Sequence, residues 1–132
     1  MLTFFLFGTY TDNDRTHGGS VYSSETKTGN IKAVDSAVSS NPSFVAIAPN
    51  KKTIYVVNEN GDATSTGGGA VSSFAFNKLT GSLKQTSTQP SGGAHPCYVN
   101  VSNNGKWLFA GNYSSGTFSE FPLSANGTIG VA

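Results

Sequence analysis

Few side chains in this 132-residue sequence can carry acid–base chemistry. There are two histidines, His17 and His95, one arginine, Arg15, and seven carboxylates against seven lysines. Glu59 and His95 are the acid–base candidates: a carboxylate and an imidazole can take a proton from water and return one to a leaving oxygen. Arg15 and His17 are available to an anionic group, and Asn58, Asn112 and Tyr113 could bind substrate polar groups. Each has a plainer reading. Glu59 reads equally as an ordinary loop carboxylate. His95 reads as a turn-fixing residue before Pro96, because Asn41 stands in its place in the preceding repeat. Asn58 and Asn112 recur at matched positions, which marks architecture, and Arg15 rides on a polar loop, DNDRTHGG. No HxH, CxxC or HExxH spacing is present, and Gly67-Gly68-Gly69 lacks the lysine of a phosphate loop. No metal and no cofactor are expected.

These residues must be positioned by a repeat. Residues 41–59, NPSFVAIAPNKKTIYVVNE, align without a gap on 95–113, HPCYVNVSNNGKWLFAGNY, at an offset of 54. A second pattern interleaves with it: GGAVSSFAFNKLTGSL (68–83) matches SGTFSEFPLSANGTI (115–129), and GGSVYSSETKTGNI (18–31) is a third copy. Self-similarity at such a period marks a propeller or a solenoid. Each repeat holds short runs alternating with period two, the strand signature. The runs are separated by turn dipeptides such as Asn60-Gly61, Asn104-Gly105 and Asn126-Gly127. Sustained helical spacing is lacking, so almost no helix is expected. Four antiparallel strands per repeat make a β-propeller blade; a β-sandwich also uses strands at this spacing but does not require the ungapped repeat.

The expected all-β architecture is a partial ring of about three blades over 1–132. Blade one (2–37) lacks its inner strand and has strands 2–10, 20–24 and 30–37. Blade two (43–88) has 43–48, 53–58, 70–76 and 82–88. Blade three (97–131) has 97–102, 106–112, 116–122 and 127–131. In closed rings a strand from the far end of the chain completes the first blade. Here the strands describe an arc, and the abrupt end at GTIGVA suggests truncation. Alternation of strand direction puts Asp12, Asp14, Arg15, His17, Glu59, Asp62 and His95 on one face, and most lysines on the other. The axial mouth of such a face is a concave site with convergent polar groups.

Composition sets further bounds. Charged residues are only 11% and the net charge is +1, so there is no electrostatic basis for binding nucleic acid. No apolar run is long enough to span a membrane. Met1–Phe7 is apolar but lacks a basic start, so it reads as a buried strand and the expected compartment is the cytoplasm. Cys97 is the single cysteine and reads as a small core residue. An arc leaves apolar blade faces uncovered, so a homo-oligomer is expected, with a dimer the leading form.

The motifs GTYT (8–11), NPSF (41–44), YVVNE (55–59), GAVSSF (69–74), GGAHPCYV (92–99) and GKWLFAGNYSSG (105–116) resemble the propeller-type 6-phosphogluconolactonase family, in that family's order. The likeness runs over essentially the whole chain and is to the family's N-terminal portion. It implies hydrolysis of a sugar lactone, 6-phosphogluconolactone to 6-phosphogluconate, with Glu59 and His95 as the acid–base candidates. It also implies that the chain alone is weak or inactive, since later blades supply further cleft positions. The alternative is a non-catalytic propeller piece that self-assembles into a ring.

Overall fold

In a computed structural model that describes residues 2–12, 17–61 and 68–132, the chain forms antiparallel sheets, with no helix among those residues. The first sheet is β1 (Leu2–Gly8), β2 (Gly18–Glu25) and β3 (Ile31–Val38), in that order. The second runs β4 (Val45–Ile47), β5 (Thr53–Asn58), β6 (Ala70–Phe76) and β7 (Leu83–Pro90). The third has β8 (Pro96–Val101), β9 (Trp107–Asn112) and β10 (Thr117–Pro122), with β9 in the middle. Neighbouring strands pair in sequence order, so each sheet is a meander and its connections alternate between two ends.

The sheets stack face to face, and burial records the stacking. All six residues of β5 are buried, because the second sheet is covered on both sides. Ile54, Val56 and Phe74, with Val45 of the same sheet, meet Leu6 and Ala37 across the first junction. On the other face Tyr55, Val57 and Val71 meet Val99, Leu108 and Phe121. The Tyr55 hydroxyl donates to the Gly127 carbonyl at 3.0 Å, a bond that ties sheet two to sheet three. Burial pushes the Tyr55 phenol up to about 12. β1 alternates instead. Phe4 and Leu6 turn inward, Phe4 meeting Phe76 edge-on at 5.8 Å, whereas Phe5 and Phe7 stay exposed.

One glycine is dictated by close approach. A Cβ on Gly8 would penetrate the Pro42 carbonyl oxygen, where the crossing from β3 to β4 passes over the end of β1.

The third sheet departs from expectation. Its fourth strand, expected at 127–131, is a single bridge between Leu123 and Ile129. The cause lies in the neighbouring sheet. The Ile129 N–H donates to Ser87 Oγ at 3.0 Å and its carbonyl accepts from Gln89 Nε2 at 3.2 Å, both on β7. This segment therefore stitches sheet three to sheet two, with the Ile129 side chain in the core. Cys97, expected as a small core residue, is exposed: it stands at the irregularity between Pro96 and Tyr98 in the β8–β9 register.

Candidate functional site

The connections β1–β2, β3–β4, β5–β6, β7–β8 and β9–β10 share one end of the stack, and they carry the candidates. Two of these crossings are built alike. Asn41 and His95 both have left-handed backbone, with φ of 41° and 52°. Such values are uncommon outside glycine and are tolerated best by asparagine, aspartate and histidine. Each residue precedes a fully buried proline, Pro42 or Pro96. The kink aims each carbonyl at the end of the next strand. The Asn41 carbonyl accepts from Glu59 N–H and that of His95 from Tyr113 N–H, both at 2.9 Å.

The side chains then diverge. Asn41 is buried and saturated. Its Oδ1 accepts from Thr11 N–H at 2.7 Å, and its Nδ2 donates to Asp12 Oδ1 at 2.8 Å and to Asn60 Oδ1 at 2.9 Å. The His95 ring is half-buried, and its Nδ1 is shielded from solvent with no hydrogen-bond partner. The turn is thus fixed through the backbone, and the imidazole is not needed to hold it. A shielded ring nitrogen left unpaired is costly unless something else occupies it.

Glu59 begins the β5–β6 connection. Its carboxylate accepts from the Tyr10 hydroxyl at 2.9 Å, across 49 residues of sequence. That hydrogen bond, then burial, then the negative charge of Glu59 raise the Tyr10 phenol above its ordinary value. Glu59 and His95 stand on adjacent crossings: the His95 N–H donates to the carbonyl of Asn60, the residue after Glu59, at 2.9 Å. No hydrogen bond joins the two side chains. The end of the stack therefore offers an anchored carboxylate and an unanchored imidazole one residue apart along the backbone seam.

The other candidates are placed differently. Asn58 is buried, donating to Ser39 Oγ at 2.8 Å and the Ser40 carbonyl at 2.7 Å while accepting from Ser72 Oγ at 2.6 Å. Asn112 is its counterpart, donating to the Ser91 carbonyl at 3.1 Å and Thr117 Oγ1 at 3.0 Å. Both lash the end of a second strand to the incoming crossing. Tyr113 is 80% exposed. His17 is exposed too, but its Nδ1 pairs with Ser36 Oγ at 3.0 Å on β3, so it is not gathered with Glu59 and His95. Arg15, with Asp14 and Asp62, lies outside the described residues. The Thr11–Asp12–Asn41–Asn60 network and the Tyr10–Glu59 pair had no local signal: partners 19 to 49 residues apart share no spacing that a sequence displays.

This geometry can be set beside known proteins. A family model described as "Lactonase, 7-bladed beta-propeller" matches residues 4–132. The chain belongs to this lactonase family. It is 31% identical over 125 residues to a 6-phosphogluconolactonase of Formosa agariphila, covering 92% of this chain and 34% of that one. It superimposes on the periplasmic gluconolactonase PpgL of Pseudomonas aeruginosa with a TM-score of 0.89 at 34% identity, covering 99% of this chain and 37% of that one. The chain thus spans about a third of the length of either lactonase relative. The family assigns the three stacked sheets as propeller blades. No helix among the described residues is long and apolar enough to cross a membrane.

Proposed function

We propose that this chain carries part of the cleft of a sugar-lactone hydrolase, with His95 and Glu59 as its proton-handling residues. The observation that supports this most is the contrast between Asn41 and His95: one backbone slot, used twice, is saturated in one copy and holds a free imidazole nitrogen in the other. The names of the lactonase relatives supply the substrate class, a gluconolactone with or without a 6-phosphate.

Opening a lactone requires attack of water on the ring carbonyl carbon, a donor for the oxyanion that forms, and a proton for the ring oxygen as its bond to that carbon breaks. His95 is the residue suited to move the proton, taking it from water and returning it to the departing oxygen. Glu59, already accepting from Tyr10, is the second proton-handling candidate, held on the adjacent crossing. A 6-phosphate would meet few cations here, since Arg15 is the single arginine and the lysines fall mostly on the opposite end. Turnover by this chain is therefore weak, and weaker for the phosphorylated lactone.

The test is lactone opening followed by base uptake at constant pH, above the spontaneous rate. General acid–base groups contribute about 10²–10⁴-fold each, so His95→Ala and Glu59→Gln should each lower the catalysed rate by at least ~10-fold, allowing for a substituting water. A catalysed rate that survives both changes removes these residues from the site.

A further inference from the structure

A tyrosine of the first sheet reaches over to hold the glutamate of the candidate cleft. Tyr10 stands just past β1 and Glu59 just past β5, so the bond from the Tyr10 hydroxyl to Glu59 Oε2, 2.9 Å long, crosses a junction between sheets. Both of those sheets lie within the chain. One residue pins the backbones that carry the pair. The Asn41 carbonyl accepts from Glu59 N–H at 2.9 Å, and its Oδ1 accepts from the N–H of Thr11, beside Tyr10, at 2.7 Å. On the other side of Tyr10, the Thr9 N–H donates to the Gly18 carbonyl at 2.9 Å. The hydroxyl therefore meets the carboxylate from a backbone fixed before and after it.

The bond acts on Glu59 in two ways. A glutamate side chain has much rotamer freedom to lose, and Glu59 is only half-buried. A phenol that donates to a carboxylate makes a charge-assisted hydrogen bond, stronger than a neutral one, and so selects one position. The bond also divides the two oxygens. Oε2 is occupied by the phenolic proton, and Oε1 is left to take a proton from water or return one. The donor keeps its proton, because the hydrogen bond, burial and the Glu59 charge together raise the Tyr10 phenol above its ordinary value. Asp12, the other carboxylate whose charge Tyr10 feels, is engaged elsewhere: it accepts from Asn41 Nδ2 at 2.8 Å. Nor does the contact belong to the repeat. The backbone bonds from Asn41 and His95 recur in both crossings, but Tyr113 stands in the place of Glu59 in the next copy, with no carboxylate to hold.

We propose that Tyr10 is a positioning residue, whose hydroxyl fixes Glu59 through Oε2 and presents Oε1 to the sugar lactone and its attacking water. The identity of the reaction rests on the lactonase reading; the hold on Glu59 does not.

The experiment is a double-mutant cycle of Tyr10→Phe and Glu59→Gln, with circular dichroism as a check that each variant keeps its strands. Tyr10→Phe retains the ring and removes the hydroxyl alone. In lactone opening, misplacing a catalytic group by about 1 Å costs up to about 10²-fold, so Tyr10→Phe is expected to lower kcat at least ~3-fold, with KM little changed. In the Glu59→Gln background the same change is expected to lower kcat no further, because Tyr10 acts through the carboxylate. A loss that appears in KM instead, or that persists in full without Glu59, overturns the proposal. A second readout needs no turnover. Three-bond couplings measured by NMR are expected to show one Glu59 rotamer in the wild type and an average of several in Tyr10→Phe. Couplings already averaged in the wild type, or unchanged by Tyr10→Phe, also overturn it. A wild-type chain without any catalysed rate counts against the lactonase reading alone, and the couplings then decide whether Tyr10 positions Glu59.

Discussion

Asn58 and Asn112 occupy the same position of the repeat, yet their loss should not cost the same. In Asn58→Ala three hydrogen bonds go: to Ser39 Oγ, to the Ser40 carbonyl and from Ser72 Oγ. At a net of about 1 kcal/mol each, that is about 3 kcal/mol, with the buried Ser39 hydroxyl left without its donor pushing it upward. Asn112→Ala removes two longer bonds, to the Ser91 carbonyl and Thr117 Oγ1. It also removes an Oδ1 that is buried without a partner in the native protein. The loss of about 2 kcal/mol is offset by relief of an unsatisfied acceptor worth about 1–3 kcal/mol, leaving a change within about 1 kcal/mol of zero in either direction. Two partners account for part of this asymmetry: Ser72 donates to Asn58, whereas Ser119, its counterpart in the repeat, donates to the Ser91 carbonyl at 2.6 Å. Urea unfolding at one fixed protein concentration reads the difference as a shift of midpoint at unchanged slope. Against a typical stability of about 5–15 kcal/mol, the first variant should be conspicuously weakened and the second nearly normal. An Asn112→Ala variant that loses as much as Asn58→Ala would refute the reasoning.

Three further outcomes are expected. Gly8→Ala should be strongly destabilising or fail to fold, because its Cβ would enter the Pro42 carbonyl; a normal unfolding midpoint would show that the crossing can move aside. Glu59→Gln removes the charge and the carboxylate acceptor that raise Tyr10, so the Tyr10 phenol should titrate closer to the ordinary value of about 10, read by absorbance against a Tyr10→Phe control. The Tyr55 phenol titrates higher in the folded chain, about 12, than in the unfolded one, about 10. Its contribution is therefore intact below about 10 and lost as the pH rises from there through about 12, and Tyr55→Phe should flatten the alkaline limb of stability against pH.

Legibility from sequence followed the range of the interaction. The strands and their order were legible because alternation and turn dipeptides are local, and the 54-residue offset identifies equivalent positions without coordinates. The end of the third blade was not. A run such as Gly127–Val131 shows strand composition, but nothing in it says that Ser87 and Gln89 of another sheet will take the Ile129 backbone groups. Strand direction correctly sent Glu59 and His95 to one end of the stack. It could not say that Tyr10 would hold Glu59, that Asn41 would be saturated, or that His17 would turn to Ser36. Those outcomes depend on side chains brought together by the stacking of blades.

The most direct test of the account uses the fact that the chain has only two histidines. Imidazole nitrogen signals of His95 and His17, followed by NMR as gluconate is added as a stable product of lactone opening, report whether the free ring nitrogen is where a ligand binds. The account predicts that the His95 signals move with added gluconate and that those of His17, held by Ser36, do not. Movement of His17 alone, or of neither, would contradict it.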